Sequence, residues 1–186
     1  MAAADLDGEP VWGDLVSSEG SHQVHEGVVA ATDRLDVLVH NAGVLLRGSL
    51  ADVSRADLET CFAINTLAPI GLTAMLRPEL RRSGAARVVV VSSTMGQFAS
   101  GMSGGSLPYR ISKAAVNVFV ANCAAELRAD GILLNAMHPG WVKTDMGGSS
   151  ATVAPETAAE TALLLAALPP DGPSGRFWRD GREIDW

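Results

Sequence analysis

A chain of 186 residues, 47% hydrophobic and 19% charged, has the length and composition of one globular domain with a sizeable core. A net charge of −7, with no basic cluster beyond Arg81-Arg82, leaves no electrostatic footprint for a phosphate backbone and argues against a nucleic-acid partner. The start Met1-Ala2-Ala3-Ala4-Asp5-Leu6-Asp7 has neither a basic opening nor an apolar stretch of signal length, and the apolar runs are too short to span a bilayer, so a cytoplasmic protein without a membrane partner is expected.

In chain order, Met1 to Gly8 reads as the tail of a helix and Val11 to Leu15 as a weak strand. A helix over Gly20 to Thr32 follows, with Val24 and Val28 in phase. Asp36 to His40 is a short apolar run of the kind buried on both faces of a parallel sheet. Arg55 to Arg82 reads as a helix, opened by the capping pattern Ser54-x-x-Asp57 and closed by Gly84. Arg87 to Val91 is a second buried strand. Tyr109 to Ala129 is a helix closed by Gly131, Ile132 to Ala136 a third strand, Pro155 to Leu168 a helix with proline at its tolerant first turn, and Arg176 to Arg179 a weak strand. This βαβαβαβαβ alternation predicts an open, doubly wound, mostly parallel α/β sheet with helices on both faces. Cys61 and Cys123 sit in apolar helical surroundings and read as small core residues, with no metal or disulfide implied.

Tyr109 is the only tyrosine and lies four residues before Lys113, one of two lysines. Residues four apart share a helical face. The ammonium can then stand near the phenol and favour its ionised form, preparing it to trade protons near neutral pH. The same helix is apolar nearly all round, which predicts a second cover beyond its own sheet, supplied by another subunit across a two-fold axis. A dimer or tetramer is therefore expected. Pro69 falls inside the helix that runs on from Asp57, has no N–H for the carbonyl of Asn65, and predicts a kink there.

Ligands of open α/β sheets bind outside the carboxyl ends of the strands. The unusual residues collect there: Asn41-Ala42-Gly43 after the first strong strand, Ser92-Ser93 after the second, and Pro139-Gly140-Trp141-Val142-Lys143-Thr144 after the third. Together with Asn65 and Tyr109-x-x-x-Lys113, this order resembles the short-chain dehydrogenases/reductases from about Asp14 onward, and the ending Ser174 to Gly181 resembles members that reduce carbonyl compounds. The resemblance implies an oxidoreductase moving a hydride between NAD or NADP and a small-molecule carbonyl or alcohol. It implies Tyr109 as the acid, Ser93 as the donor to the substrate oxygen, Lys113 as the tuner of the phenol and ligand of the nicotinamide ribose, and the carbonyl of Asn65 as the holder of a relay water. It also implies that Asp14 meets the adenine, that Asn41, Ala42 and Gly43 line the cofactor, and that Pro139, Gly140, Val142 and Thr144 meet its carboxamide end.

Three departures stand out. His40 replaces an asparagine of the family pattern, and the segment from Ser93 to Tyr109 is a few residues longer, with Gly101, Gly104 and Gly105 making it flexible. The third is larger: no Gly-x-x-x-Gly-x-Gly precedes Asn41, so residues 1–186 read as a single Rossmann-like domain missing its first two strands, which leaves Val37 to His40 as an apolar open edge. The alternative function is a catalytically inactive truncated family member acting as a binding or assembly module.

Overall fold

A computed structural model describes residues 8–186, so the expected helical tail at Met1 to Gly8 lies, except for Gly8, outside the described residues. The order is α1 (Ser18–Ala31), β1 (Val37–His40), α2 (Arg55–Phe62), a π-helical turn (Ala63–Leu67), α3 (Ala68–Met75), α4 (Arg77–Ser83), β2 (Ala86–Val91), a 3₁₀ turn (Thr94–Gly96), α5 (Leu107–Arg128), β3 (Ile132–His138), α6 (Pro155–Ala166), β4 (Phe177–Arg179) and β5 (Arg182–Ile184). The strands form one sheet in the order β1-β2-β3-β4-β5. The first four are mutually parallel, and β5 returns antiparallel to β4. This is the open α/β sheet expected from the alternation.

Side chains of a strand alternate between faces, and the core divides accordingly. Val88, Val90, Leu134, Ala136 and Phe177 meet Leu76, Leu80, Val116 and Val120 on one face. Val89 and Met137 meet Leu165 of α6 on the other. The α6 face is covered only in part. Val37 and Val39, which pair with Arg87 and Val89 and so share that face, remain 38% and 42% exposed at the sheet edge.

The expected strand at Val11 to Leu15 is absent. A strand needs a neighbour for its backbone N–H and C=O groups, and β1, at the edge, pairs only with β2. The segment lies on α1 instead, at two glycines. A Cβ at Gly20 would come within 2.0 Å of the Asp14 carbonyl oxygen, and one at Gly27 within 2.3 Å of Val11 Cγ1.

The long helix expected from Arg55 to Arg82 is broken into parts. Ser54 caps it as predicted, its Oγ accepting from the Asp57 N–H at 3.0 Å. The π-helical turn falls at Ala63–Leu67, just before Pro69 enters α3, and Gly84 ends α4 with φ +70°. Proline removes an N–H from the ladder, and the widened turn accommodates that loss. The run Arg55–Met75 has 21 residues and would reach across a bilayer by length and composition, which the sequence reading did not anticipate. Its packing is that of an interior helix: Asn65 and Thr66 are buried and hydrogen-bonded to α5. The helix expected from Tyr109 starts two residues earlier, at Leu107.

His40 is buried, with Nε2 2.8 Å from Thr73 Oγ1, and burial lowers its pKa to about 4. Burial chiefly, with the Arg179 charge, lowers His138 to about 4 as well. Both histidines stay neutral in the fold where the unfolded chain takes up protons, so stability is full above about pH 6.5 and declines as pH falls toward 4. The expected slope is on the order of 1 kcal/mol per pH unit for each histidine. Urea midpoints between pH 7 and 4 check this, and His40→Asn should flatten the curve.

Candidate active site

Because β1, β2 and β3 are parallel, the loops that follow them leave from one edge of the sheet. Asn41-Ala42-Gly43, Ser92-Ser93 and Pro139 to Thr144 are those loops. Lys113 stands one helical turn after Tyr109 in α5, and its Nζ lies 5.8 Å from the centre of the tyrosine ring. The ammonium donates to the Val91 carbonyl at the end of β2, 2.7 Å away. Asn65, Ser93, Tyr109 and Lys113 are all buried.

The electrostatics differ from the sequence expectation. Burial pushes the Tyr109 phenol above its ordinary pKa, while the polar side chain of Ser93 acts in the opposite direction. Burial also lowers Lys113 to about 8. Desolvation penalises the charged form of each group. Lys113 therefore does not bring the phenol down as expected; its Nζ is engaged by Val91. The phenol stays protonated at neutral pH and can donate, with Ser93 beside it.

Asn65 is used fully by its side chain. Its Oδ1 accepts from the Val44 N–H at 2.9 Å, and its Nδ2 donates to the Val44 carbonyl and to Ser112 Oγ, each at 2.9 Å. Ser112 in turn donates to the Tyr109 carbonyl at 2.8 Å and accepts, through its own carbonyl, from Thr66 Oγ1 at 2.9 Å. This chain joins the loop after β1 to the π-turn and to α5. Gly43 completes the cluster: a Cβ there would stand 3.2 Å from Asn65 Oδ1 and 3.7 Å from Lys113 Nζ, so the missing side chain keeps the space above both groups open.

The 3₁₀ turn carrying Ser93 packs on α5 with almost no clearance. A Cβ at Gly96 would lie 2.5 Å from the Ala114 nitrogen and 2.6 Å from the Lys113 carbonyl carbon. Backbone cannot step aside as a flexible side chain can. Gly96→Ala is therefore expected to destabilise by about 2 kcal/mol and to separate the serine turn from the lysine helix. Chemical denaturation, with an assay of turnover, tests it.

The other residues expected at a cofactor lie beside this cluster. Asp14 is exposed in the turn before α1, its Oδ1 accepting from the Val16 N–H at 3.0 Å. Leu15, Ser17, Ala63 and Leu67 line part of a groove of about 230 Å³ between that turn and the π-turn. Asn41 and Ala42 are exposed at the end of β1. Gly140 adopts φ +84°, Val142 bridges to Val153, and Thr144 Oγ1 accepts from the Gly147 N–H at 3.2 Å. Pro139 is half-buried at the exit of β3. Among the described residues, no hydrogen bond joins Asp14, Asn41 or the Pro139 to Thr144 loop to the buried cluster. An open depression of about 350 Å³ on Pro78, Arg81 and Arg82 involves none of these residues.

Two contributors were not singled out from the sequence. Ser112 lies three residues after Tyr109 and Asn117 four after Lys113, both spacings of a shared helical face that could have marked them. The Val44 backbone had no signal, because its part depends on the loop path.

Comparisons with known proteins bear on the family of the chain. A family model described as short chain dehydrogenase matches residues 5–153. A protein named C-signal from Myxococcus xanthus is 42% identical over 158 residues, covering 83% of this chain and 95% of its own. A 1-hydroxy-2-glutathionyl-2-methyl-3-butene dehydrogenase from Rhodococcus sp. (strain AD45) is 32% identical over 192 aligned positions, covering 100% of this chain and 83% of that protein. Among solved structures, an NADPH-bound carbonyl reductase from chicken fatty liver superposes with TM-score 0.82 at 27% identity, over 94% of this chain and 75% of that one.

Proposed function

The chain belongs to the short-chain dehydrogenase family and by that membership is an NAD(P)-dependent oxidoreductase; we propose that it moves a hydride between the nicotinamide cofactor and the carbonyl or alcohol carbon of a small substrate. The observation that carries this reading is the buried cluster of Asn65, Ser93, Tyr109 and Lys113, with Gly43 beside Asn65 and Lys113. The donor set suits the nicotinamide ribose end of the cofactor. Lys113 Nζ offers protons beside a glycine that admits a close approach, and Gly140 turns the loop that would meet the carboxamide.

When bound, the cofactor supplies or takes the hydride. In the reducing direction Tyr109 Oη would give its proton to the substrate oxygen, which takes the carbonyl π pair as its carbon is reduced. Ser93 Oγ donates a hydrogen bond to the same oxygen as its charge grows. Lys113, held by Val91, orients the ribose and returns a proton to Tyr109, with the Asn65 carbonyl on the relay side. Asn41, Ala42 and Gly43 would line the cofactor, and Pro139, Gly140, Val142 and Thr144 would meet its carboxamide end. Asp14, beside the groove at α1, would meet the adenine.

Residues 8–186 read as one Rossmann-like domain with β1 at the edge of its sheet. The exposed Val37 and Val39 on edge strand β1 support that reading. On α5, Ile111, Val118 and Ala125 repeat at heptad spacing on the exposed side and support a homodimer or homotetramer closed through this helix. A second reading, a binding or assembly module without turnover, is favoured by the relative named C-signal, 95% of which aligns here. Titrating NADPH and NADH while following nicotinamide fluorescence separates the two. Saturable binding with carbonyl-dependent oxidation of the cofactor supports the enzyme; no binding at any concentration supports the module.

A further inference from the structure

Tyr109, Lys113 and Asn117 follow one another at four-residue intervals along α5 and share a face. The first two belong to the chemistry proposed above; the third has no part in it. Asn117 is 5% exposed and Ser92 2%. Ser92 Oγ donates to Asn117 Oδ1, and more distantly, at 3.5 Å, to the Lys113 carbonyl. On its other side Asn117 Nδ2 reaches the Gly96 carbonyl at 3.5 Å. Ser92 and Gly96 are the two ends of the turn that bears Ser93. Within that turn Ser93 Oγ accepts from the Met95 N–H at 3.1 Å, so the orientation of its hydroxyl follows the orientation of the turn.

We propose that Asn117 is a positioning residue for the proton-transfer site: it grips the Ser93 turn at both ends and so sets how that turn presents Ser93 to the Tyr109 helix. The glycine at 96 lets the turn come down onto α5, and Asn117 keeps it there. Buried in the fold, an amide and a hydroxyl that satisfy only each other would serve stability alone. Their placement on the backbone flanking Ser93 gives them a second effect, on where Ser93 stands relative to the phenol of Tyr109. The proposal rests on the proposed function for its meaning but not for its test.

Tyr109 is the only tyrosine of the chain, so the phenolate absorbance of the native protein reports this one group without any cofactor. Ser93→Ala should raise its titration midpoint, because the polar group that favours ionisation is lost. Asn117→Ala should raise the midpoint in the same direction by about half a pH unit or more, and the double variant should stand no higher than the larger single shift. Where turnover is measurable, Asn117→Ala should lower kcat roughly ten-fold with KM for cofactor unchanged. Should Asn117→Ala fail to fold, Ser92→Ala removes the same bond from its other end and carries the same expectation. The proposal is overturned if either variant lowers the melting temperature yet titrates like the parent, or if its shift adds in full to that of Ser93→Ala. Failure of NADPH to bind would sink the proposed function while leaving this titration intact, so the two outcomes are separable.

Discussion

Tyr109→Phe should lower turnover by about 100- to 10,000-fold, the range expected for removal of a general acid, while NADPH binding stays within about two-fold of the parent by the same reasoning on where the group acts. The reason is geometric. Only the hydroxyl is lost; the ring keeps its buried place on α5, and Lys113 keeps its bond to the Val91 carbonyl. Ser93 would still face the substrate oxygen and account for residual activity. Steady-state kinetics beside a fluorescence titration of cofactor separates the two effects. Unchanged turnover would remove Tyr109 from the chemistry and, with it, the proposed role of Ser93.

Phe177→Ala should cost about 3–5 kcal/mol, which for a chain of this size lowers the melting temperature by roughly 12 °C. Phe177 is fully buried in β4, inside the larger core cluster, and stacks on Trp186 with ring centres 5.4 Å apart. The effect should reach the site's periphery. Trp186 accepts from the Ala99 N–H at 2.9 Å, and the Asp185 carbonyl accepts from Gln97 Nε2 at 2.7 Å. Loosening Trp186 therefore frees the segment between Ser93 and Tyr109, whose exposed Phe98 and Met102 mark its outer side. Thermal melts measure the first effect, and faster limited proteolysis between Gln97 and Gly105 the second. An unaltered cleavage pattern in a strongly destabilised variant would show that the segment is held from elsewhere.

Much of this molecule is readable from local pattern. The apolar runs at β1, β2 and β3, the cap at Ser54, the stop at Gly84 and the distortion before Pro69 all follow from interactions within a few residues. The Tyr109 and Lys113 pair is of the same kind, since helical spacing alone sets them on one face. Val11 to Leu15 shows where local reading fails. Its composition suits a strand, but a strand exists only beside another, and here α1 offers two glycines to lie on instead.

The direction of the Tyr109 pKa was lost for a related reason. A neighbouring ammonium favours ionisation, and the sequence shows that neighbour. Burial opposes ionisation, and burial is a property of the whole assembly: β2 supplies the Val91 carbonyl that engages Lys113, and the sheet and helices together exclude water from the phenol. Short-range spacing, cap chemistry and strand polarity thus determined which groups this chain possesses and the edge at which they gather. Which of them touch, how dry they are, and therefore which protonation state each prefers were decided only when Val44, Ser112 and Asn117 closed around them, because desolvation depends on every neighbour at once and no stretch of chain carries that sum.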